Sequence, residues 1–121
     1  MSRFALSPSK PLYTEADVIQ RCRAILERRG YWLQRNPVGL YQCVSDKSWA
    51  KFGPEGIPDY TAIHAKYPAF FVEFKRPGKL LREAQQTKFG EIQFGYGLAA
   101  VMVDSPEMLV DFLNGHELRA H

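Results

Sequence analysis

The residues of this chain that could do chemistry together are Asp59, Glu73 and Lys75. In the run Phe70-Phe71-Val72-Glu73-Phe74-Lys75, the period-two alternation of a strand puts Phe70, Val72 and Phe74 on one face and Phe71, Glu73 and Lys75 on the other. A carboxylate and an ammonium thus share a strand face. Taken alone, that pair equally describes an exposed surface ion pair, worth about 0–1 kcal/mol. The preceding strand opens Gly56-Ile57-Pro58-Asp59-Tyr60, and a hairpin between the two brings Asp59 beside Glu73. Two like charges so placed call for a cation. Hard divalent ions such as Mg²⁺ take oxygen ligands and keep several waters, so two carboxylates, a backbone carbonyl and a substrate phosphate make a natural site. The Cys/His set that zinc requires is missing.

The elements that must position these groups follow from periodicity and punctuation. Thr14 with Asp17 three residues on is a helix N-cap for Glu15 to Arg29, with Val18, Ile19, Cys22, Ile25 and Leu26 as the apolar stripe. At about 100° per residue, Glu15 projects on the side of Ile19, Cys22 and Leu26 and so is expected to face inward. Gly30 suits the helix end, residues 31–35 read as a strand, and Asn36-Pro37 stops it. Residues 40–44 are a candidate strand, and Asp46 to Pro54 reads as a basic, aromatic loop. The strands Ile57 to His64 and Phe70 to Lys75 flank a Lys66-Tyr67-Pro68-Ala69 turn, as in an antiparallel hairpin. A helix from about Arg82 to Tyr96 carries Leu81, Gln85, Phe89, Ile92 and Tyr96 on one stripe, with Gln85 the polar exception. Leu98 to Val103 is an apolar strand of the kind buried on both faces, and Ser105-Pro106 opens a last helix ending near Leu113. The order is α-β-(β)-β-β-α-β-α, a central mixed sheet flanked by helices. Residues 1–13, with Ser7-Pro8-Ser9-Lys10-Pro11, read as a loose arm, and residues 14–121 as one domain.

Pro58-Asp59, thirteen residues, then Glu73-Phe74-Lys75 resembles the PD-(D/E)XK nuclease signature. The surroundings (Gly56-Ile57-Pro58-Asp59, the Phe71 to Gly78 run, Gln85, and the Gly95 to Asp104 strand) look specifically like the VRR-NUC branch, from about Glu15 to Leu113. The 36–55 stretch matches nothing in that pattern. The resemblance implies a restriction-endonuclease-like fold and a metal-dependent phosphodiesterase acting on DNA. Asp59, Glu73 and the Phe74 carbonyl would hold Mg²⁺ or Mn²⁺, and Lys75 would orient or help deprotonate the attacking water. Glu15 and Gln85 sit at the branch's positions for an acidic residue on the first helix and a glutamine after the ExK strand. Glu15 would bind a second metal or an outer-shell water. Gln85 would orient the nucleophile or a ligand, the plain alternative being a satisfied polar group in the core. Stand-alone members of the branch look like dimeric enzymes cutting branched DNA, comparable to Holliday junction resolvases, which implies a homodimer here. The alternatives are a less selective nicking, flap or single-strand nuclease, or a junction-binding module that does not cut.

Charge and composition fit that expectation without demanding it. Through residue 88 the chain carries 15 Lys/Arg against 8 Asp/Glu, and beyond it 1 against 5, so the basic surface lies in the first three quarters. Arg35, Lys47, Lys51, Arg76, Lys79, Arg82 and Lys88 are candidate phosphate contacts. Tyr41, Trp49 and Phe52 either stack on unpaired bases or form a satellite apolar cluster. Length 121 with 45% hydrophobic and 24% charged residues describes one ordinary globular domain. No apolar run approaches the roughly 20 residues of a membrane helix. Cys22 and Cys43 match no zinc spacing, and the start shows no secretory pattern, so reduced thiols and a cytoplasmic location are expected. His64, His116 and His121 have no partner spacing and read as structural or surface residues.

Overall fold

A computed structural model describes residues 14–36, 39–42, 45–52 and 56–119, with the side chains of 39–42 and 49–52 left out. The arm expected at residues 1–13, Cys43, and the side chains of Lys51, Tyr41, Trp49 and Phe52 lie outside the described residues. In chain order the elements are α1 (Glu15–Arg28), β1 (Trp32–Arg35), β2 (Gly39–Gln42), β3 (Trp49–Phe52), β4 (Tyr60–Ile63), β5 (Phe70–Phe74), α2 (Glu83–Gly90), β6 (Ala99–Val103) and α3 (Pro106–Arg119).

Four strands make a mixed sheet in the order β1-β4-β5-β6. β1 and β5 both run antiparallel to β4, with Leu33 opposite Ala62 and Thr61 opposite Phe71. β6 lies parallel to β5, Glu73 opposite Met102, because α2 carries the chain back over the sheet between them. Helices cover both faces. On one, Val18, Cys22 and Leu26 of α1 and Leu109 and Leu113 of α3 pack on Leu33, Ala62, Phe70, Val72 and Phe74. On the other, Phe89, Ile92 and Ala100 close over Phe71, Leu81 and Met102. The period-two alternation of β5 therefore sends Phe70, Val72 and Phe74 into the larger core and Phe71 and Glu73 to the opposite face, under α2. Among the described residues no helix is long and apolar enough to cross a membrane.

The cap of α1 forms as its sequence predicts: Asp17 N–H donates to Thr14 Oγ1 and Thr14 N–H to an Asp17 carboxylate oxygen, each at 3.1 Å. Cys22 is a buried free thiol whose pKa burial pushes up to about 12. Three expectations are corrected. The basic loop from Asp46 contains a strand, because Asp46 Oδ1 accepts from Ser48 N–H and Oγ–H and Lys47 takes φ +63°, and residues 39–42 pair with 49–52 in a separate β2–β3 ribbon. The helix expected to Tyr96 loosens after Gly90 into a π-helical turn, Glu91–Gly95, closed by Tyr96 N–H on Glu91 C=O at 3.2 Å. That wider turn throws Tyr96 off the apolar stripe, leaving it 72% exposed. α3 runs past Leu113 to Arg119 because tertiary contacts outweigh the low helix propensity of Asn114 and Gly115. His116 stacks on Phe112 and meets Pro68 C=O at 2.7 Å, and Glu117 accepts from Tyr31 O–H and Arg29.

Candidate functional site

Glu73 is the last but one residue of β5, and Lys75 follows the strand, its N–H still on the ladder to Val103 C=O at 3.0 Å. Both side chains emerge on the α2 side and are almost fully buried, at 3% and 7% exposure. Asp59 precedes β4 and faces them across the hairpin. Its backbone N–H donates to Glu73 Oε1 at 3.1 Å, while Lys75 Nζ stands 3.6 Å from Glu73 Oε2. One Glu73 oxygen is thus tied to the Asp59 backbone and the other faces the ammonium. Burial, with the Asp59 charge second, pushes the Glu73 pKa up to about 7 against the pull of the Asp59 N–H and Lys75. A low-dielectric site with two carboxylates and one lysine is short of positive charge, which is the electrostatic condition a divalent cation relieves.

The backbone around Asp59 is braced from two sides. Asn36 N–H donates to Asp59 C=O at 2.6 Å, Asn36 Nδ2 to Pro58 C=O at 2.9 Å, and Thr61 Oγ1 to Asn36 Oδ1 at 3.0 Å. From the other side Gly56, at φ +83°, lies so close to α2 that a Cβ there would collide with Ala84 C=O and sit 3.1 Å from Gln85 N. That close approach seats the Pro58-Asp59 turn on the first turn of α2, which carries Gln85. Gln85 is 3% exposed, and its Oε1 accepts from Arg82 N–H at 2.9 Å. Among the described residues its Nε2 donates to nothing, so the core-polar reading satisfies half of this amide. Beyond Lys75, the turn carrying Arg76 and Lys79 is fixed by Gly78 N–H on Asp104 Oδ2 at 3.2 Å.

Asp59, Glu73 and Lys75 are brought together, with the Phe74 carbonyl between the latter two in the chain and Gln85 on the helix above. Glu15 is not brought in with them. It is the first residue of α1, exposed, because the buried stripe begins a turn later at Val18, and among the described residues no three His, Cys, Asp or Glu side chains gather as a metal-binding group. Arg35, Lys47, Arg76, Lys79 and Arg82 are exposed, whereas Lys88 is half-buried with Nζ 2.7 Å from Glu91. The sequence reading missed the bracing by Asn36 and Asp104, and took Gly56 only as part of the Gly56 to Asp59 run. A glycine three positions before an acid marks a close backbone approach, but Asn36 read only as a strand stop and Asp104 only as a strand end. Neither a known protein family nor a curated protein sequence matches this chain.

Proposed function

We propose that this chain is a divalent-metal-dependent DNA endonuclease of the PD-(D/E)XK type, with its VRR-NUC branch as the nearest pattern and the four-stranded mixed sheet as a restriction-endonuclease-like core. The observation that carries the reading is the Asp59–Glu73–Lys75 group at the adjoining ends of β4 and β5, with Glu73 and Lys75 buried and Asp59 half-buried, in which burial and then the Asp59 charge push Glu73 up to about 7. Asp59 and Glu73, with the Phe74 carbonyl, are the oxygen donors that Mg²⁺ or Mn²⁺ takes. The bound ion supplies Lewis acidity for the phosphate and lowers the pKa of water.

The chain's own residues do the rest. Lys75, held by Glu73 and by the ladder to Val103, presents a cation where charge grows on the phosphoryl oxygens and orients the attacking water. Gln85 Nε2, which donates to no group among the described residues, offers a donor for that water or for a phosphate oxygen. Asn36 and Gly56 hold Asp59 in register, so the two carboxylates need no rearrangement to act together. Arg35, Lys47, Lys51, Arg76, Lys79 and Arg82 bind the DNA backbone without sequence choice, which makes affinity fall with salt. Glu15, exposed on α1, acts in an outer shell. A homodimer in the cytoplasm presenting two such sites suits paired cuts in branched DNA. The test is cleavage of labelled four-way junction, flap, linear duplex and single strand by wild type and Glu73→Ala in Mg²⁺, Mn²⁺ or EDTA. Junction cutting that needs both metal and Glu73 supports the reading. Binding with every substrate intact leaves a junction-binding module instead, and preferential cutting of flap or single strand makes it the less selective nuclease.

A further inference from the structure

The free edge of the sheet, away from the carboxylates, carries a second feature that the proposed chemistry does not use. Among the described residues β1 pairs only with β4 in the four-stranded sheet. Asn36 donates to Asp59 C=O, so in this antiparallel ladder the paired positions are Asn36, Gln34 and Trp32, and the N–H and C=O of Leu33 and Arg35 point away from β4. At this edge an open hollow of about 570 Å³ is lined by Arg23, Glu27, Gly30, Tyr31, Trp32 and Leu33. Trp32 is 64% exposed there, although the core beneath has room for Tyr31 and Leu33 on either side of it. An indole wall, outward backbone donors and acceptors, one carboxylate and one guanidinium are the groups that grip a nucleobase and its phosphate.

We propose that this hollow seats one unpaired base of the DNA substrate, stacked on Trp32, with its polar edge on the Leu33 backbone and Glu27 and its flanking phosphate on Arg23. The proposal rests on the nuclease reading and names the part of the substrate that the reading leaves open. Trp32, Gln34 and Asn36 share one sheet face, and Asn36 is opposite Asp59, so Trp32 stands on the face of Asp59 and Glu73. Four residues along a strand amount to about 13 Å, or about four nucleotides at the 3.4 Å spacing of stacked DNA. The hollow wraps the sheet edge, with Arg23 and Glu27 on the α1 side and Trp32 on the side of Asp59 and Glu73, so a base held there belongs to a strand that crosses this edge toward the cleavage site. Charge favours nucleic acid over the competing occupant, the edge strand of a second copy. The first 88 residues carry 15 Lys/Arg against 8 Asp/Glu, Arg23 and Arg35 flank the edge, and only Leu33 and Arg35 offer backbone groups for strand pairing.

Trp32 and Trp49 are the two tryptophans, so Trp49→Phe makes Trp32 the sole indole reporter. In EDTA, a mixed-sequence single-stranded oligonucleotide quenches Trp32 emission and a blunt duplex of the same sequence does not. Measured by anisotropy in the wild-type background, Trp32→Ala weakens single-strand binding about 5- to 150-fold, leaves duplex binding within about twofold, and Trp32→Phe restores most of the loss. Circular dichroism and the melting temperature confirm that the variants fold. Equal loss on both substrates, no quenching by the single strand, or emission that tracks protein concentration instead of DNA overturns the proposal, the last in favour of a second copy. Because this assay contains no metal and reads no cleavage, its failure leaves the wild-type nuclease activity standing. Loss of cleavage in every substrate would in turn leave the quenching intact.

Discussion

Replacing Glu73 by glutamine isolates the electrostatic cost built into the site. Glutamine keeps the side-chain shape and an oxygen to accept from Asp59 N–H, as the 3.1 Å hydrogen bond requires, while removing the charge that burial and Asp59 oppose. In the metal-free protein Glu73 is raised from 4.5 to about 7, the attraction of Lys75 being already part of that balance. A raised acid is protonated in the folded state while the unfolded chain has already released its proton. Stability is therefore lost as pH rises from about 4.5 to about 7, and the full penalty stands above 7. At 1.36 kcal/mol per pH unit the gap corresponds to about 3 kcal/mol, or roughly 10 °C in melting temperature for a domain of this size. Thermal melts in EDTA from pH 5 to 8.5 should show the wild type losing stability relative to Glu73→Gln, with the two converging at the acid end. Adding Mn²⁺ at pH 8 should stabilise the wild type by about 2.7 kcal/mol at a hundredfold excess over its Kd and leave Glu73→Gln unmoved. Parallel pH profiles, or a glutamine variant less stable than wild type at pH 8, would refute the reasoning.

Three further substitutions separate chemistry from scaffold. Lys75→Ala should lower the turnover of junction cleavage by about 10²- to 10⁴-fold with DNA affinity nearly unchanged, measured by single-turnover kinetics; an equal loss in binding would make Lys75 a DNA contact only. Gly56→Ala forces a Cβ against Ala84 C=O at a positive φ, so about 1–3 kcal/mol of stability should go together with cleavage, as urea unfolding and the nuclease assay can show. Tyr31→Phe removes only the 3.0 Å hydrogen bond to Glu117 on the far side of the sheet, and should cost about 1 kcal/mol in urea melts with cleavage intact.

What the sequence made legible is what local rules control. The Thr14–Asp17 cap, the stripe of α1, the alternation of β5 and the turn glycines each express one-dimensional periodicity or backbone preference, and the structure follows them. From β5 alone it was readable that Glu73 and Lys75 share a face, and from the hairpin that Asp59 meets them. The misreadings occur where long-range contacts decide. Glu15 has the angular phase of the buried stripe but stands about one turn before its first buried residue, Val18, so phase alone could not place it. α3 outlasts the end expected near Leu113 because Phe112, His116 and Glu117 find partners on β5, in the turn before β5 and in the link between α1 and β1. Tyr96 has helical spacing, but an inserted π-helical turn breaks the phase. Asn36 braces the Pro58-Asp59 backbone from 22 residues away, a pairing that exists only once β1 lies on β4.

The central claim is that Asp59 and Glu73 hold the divalent ion on which phosphodiester cleavage depends. Its most direct test is the cleavage rate of one labelled four-way junction against Mn²⁺ concentration, for wild type and Asp59→Asn at matched DNA occupancy. The account predicts a saturable metal dependence in the wild type and, in the variant, a rate near background that higher Mn²⁺ recovers only in part. Equal rates and equal metal dependence in the two proteins, or cleavage that persists in EDTA, would contradict it.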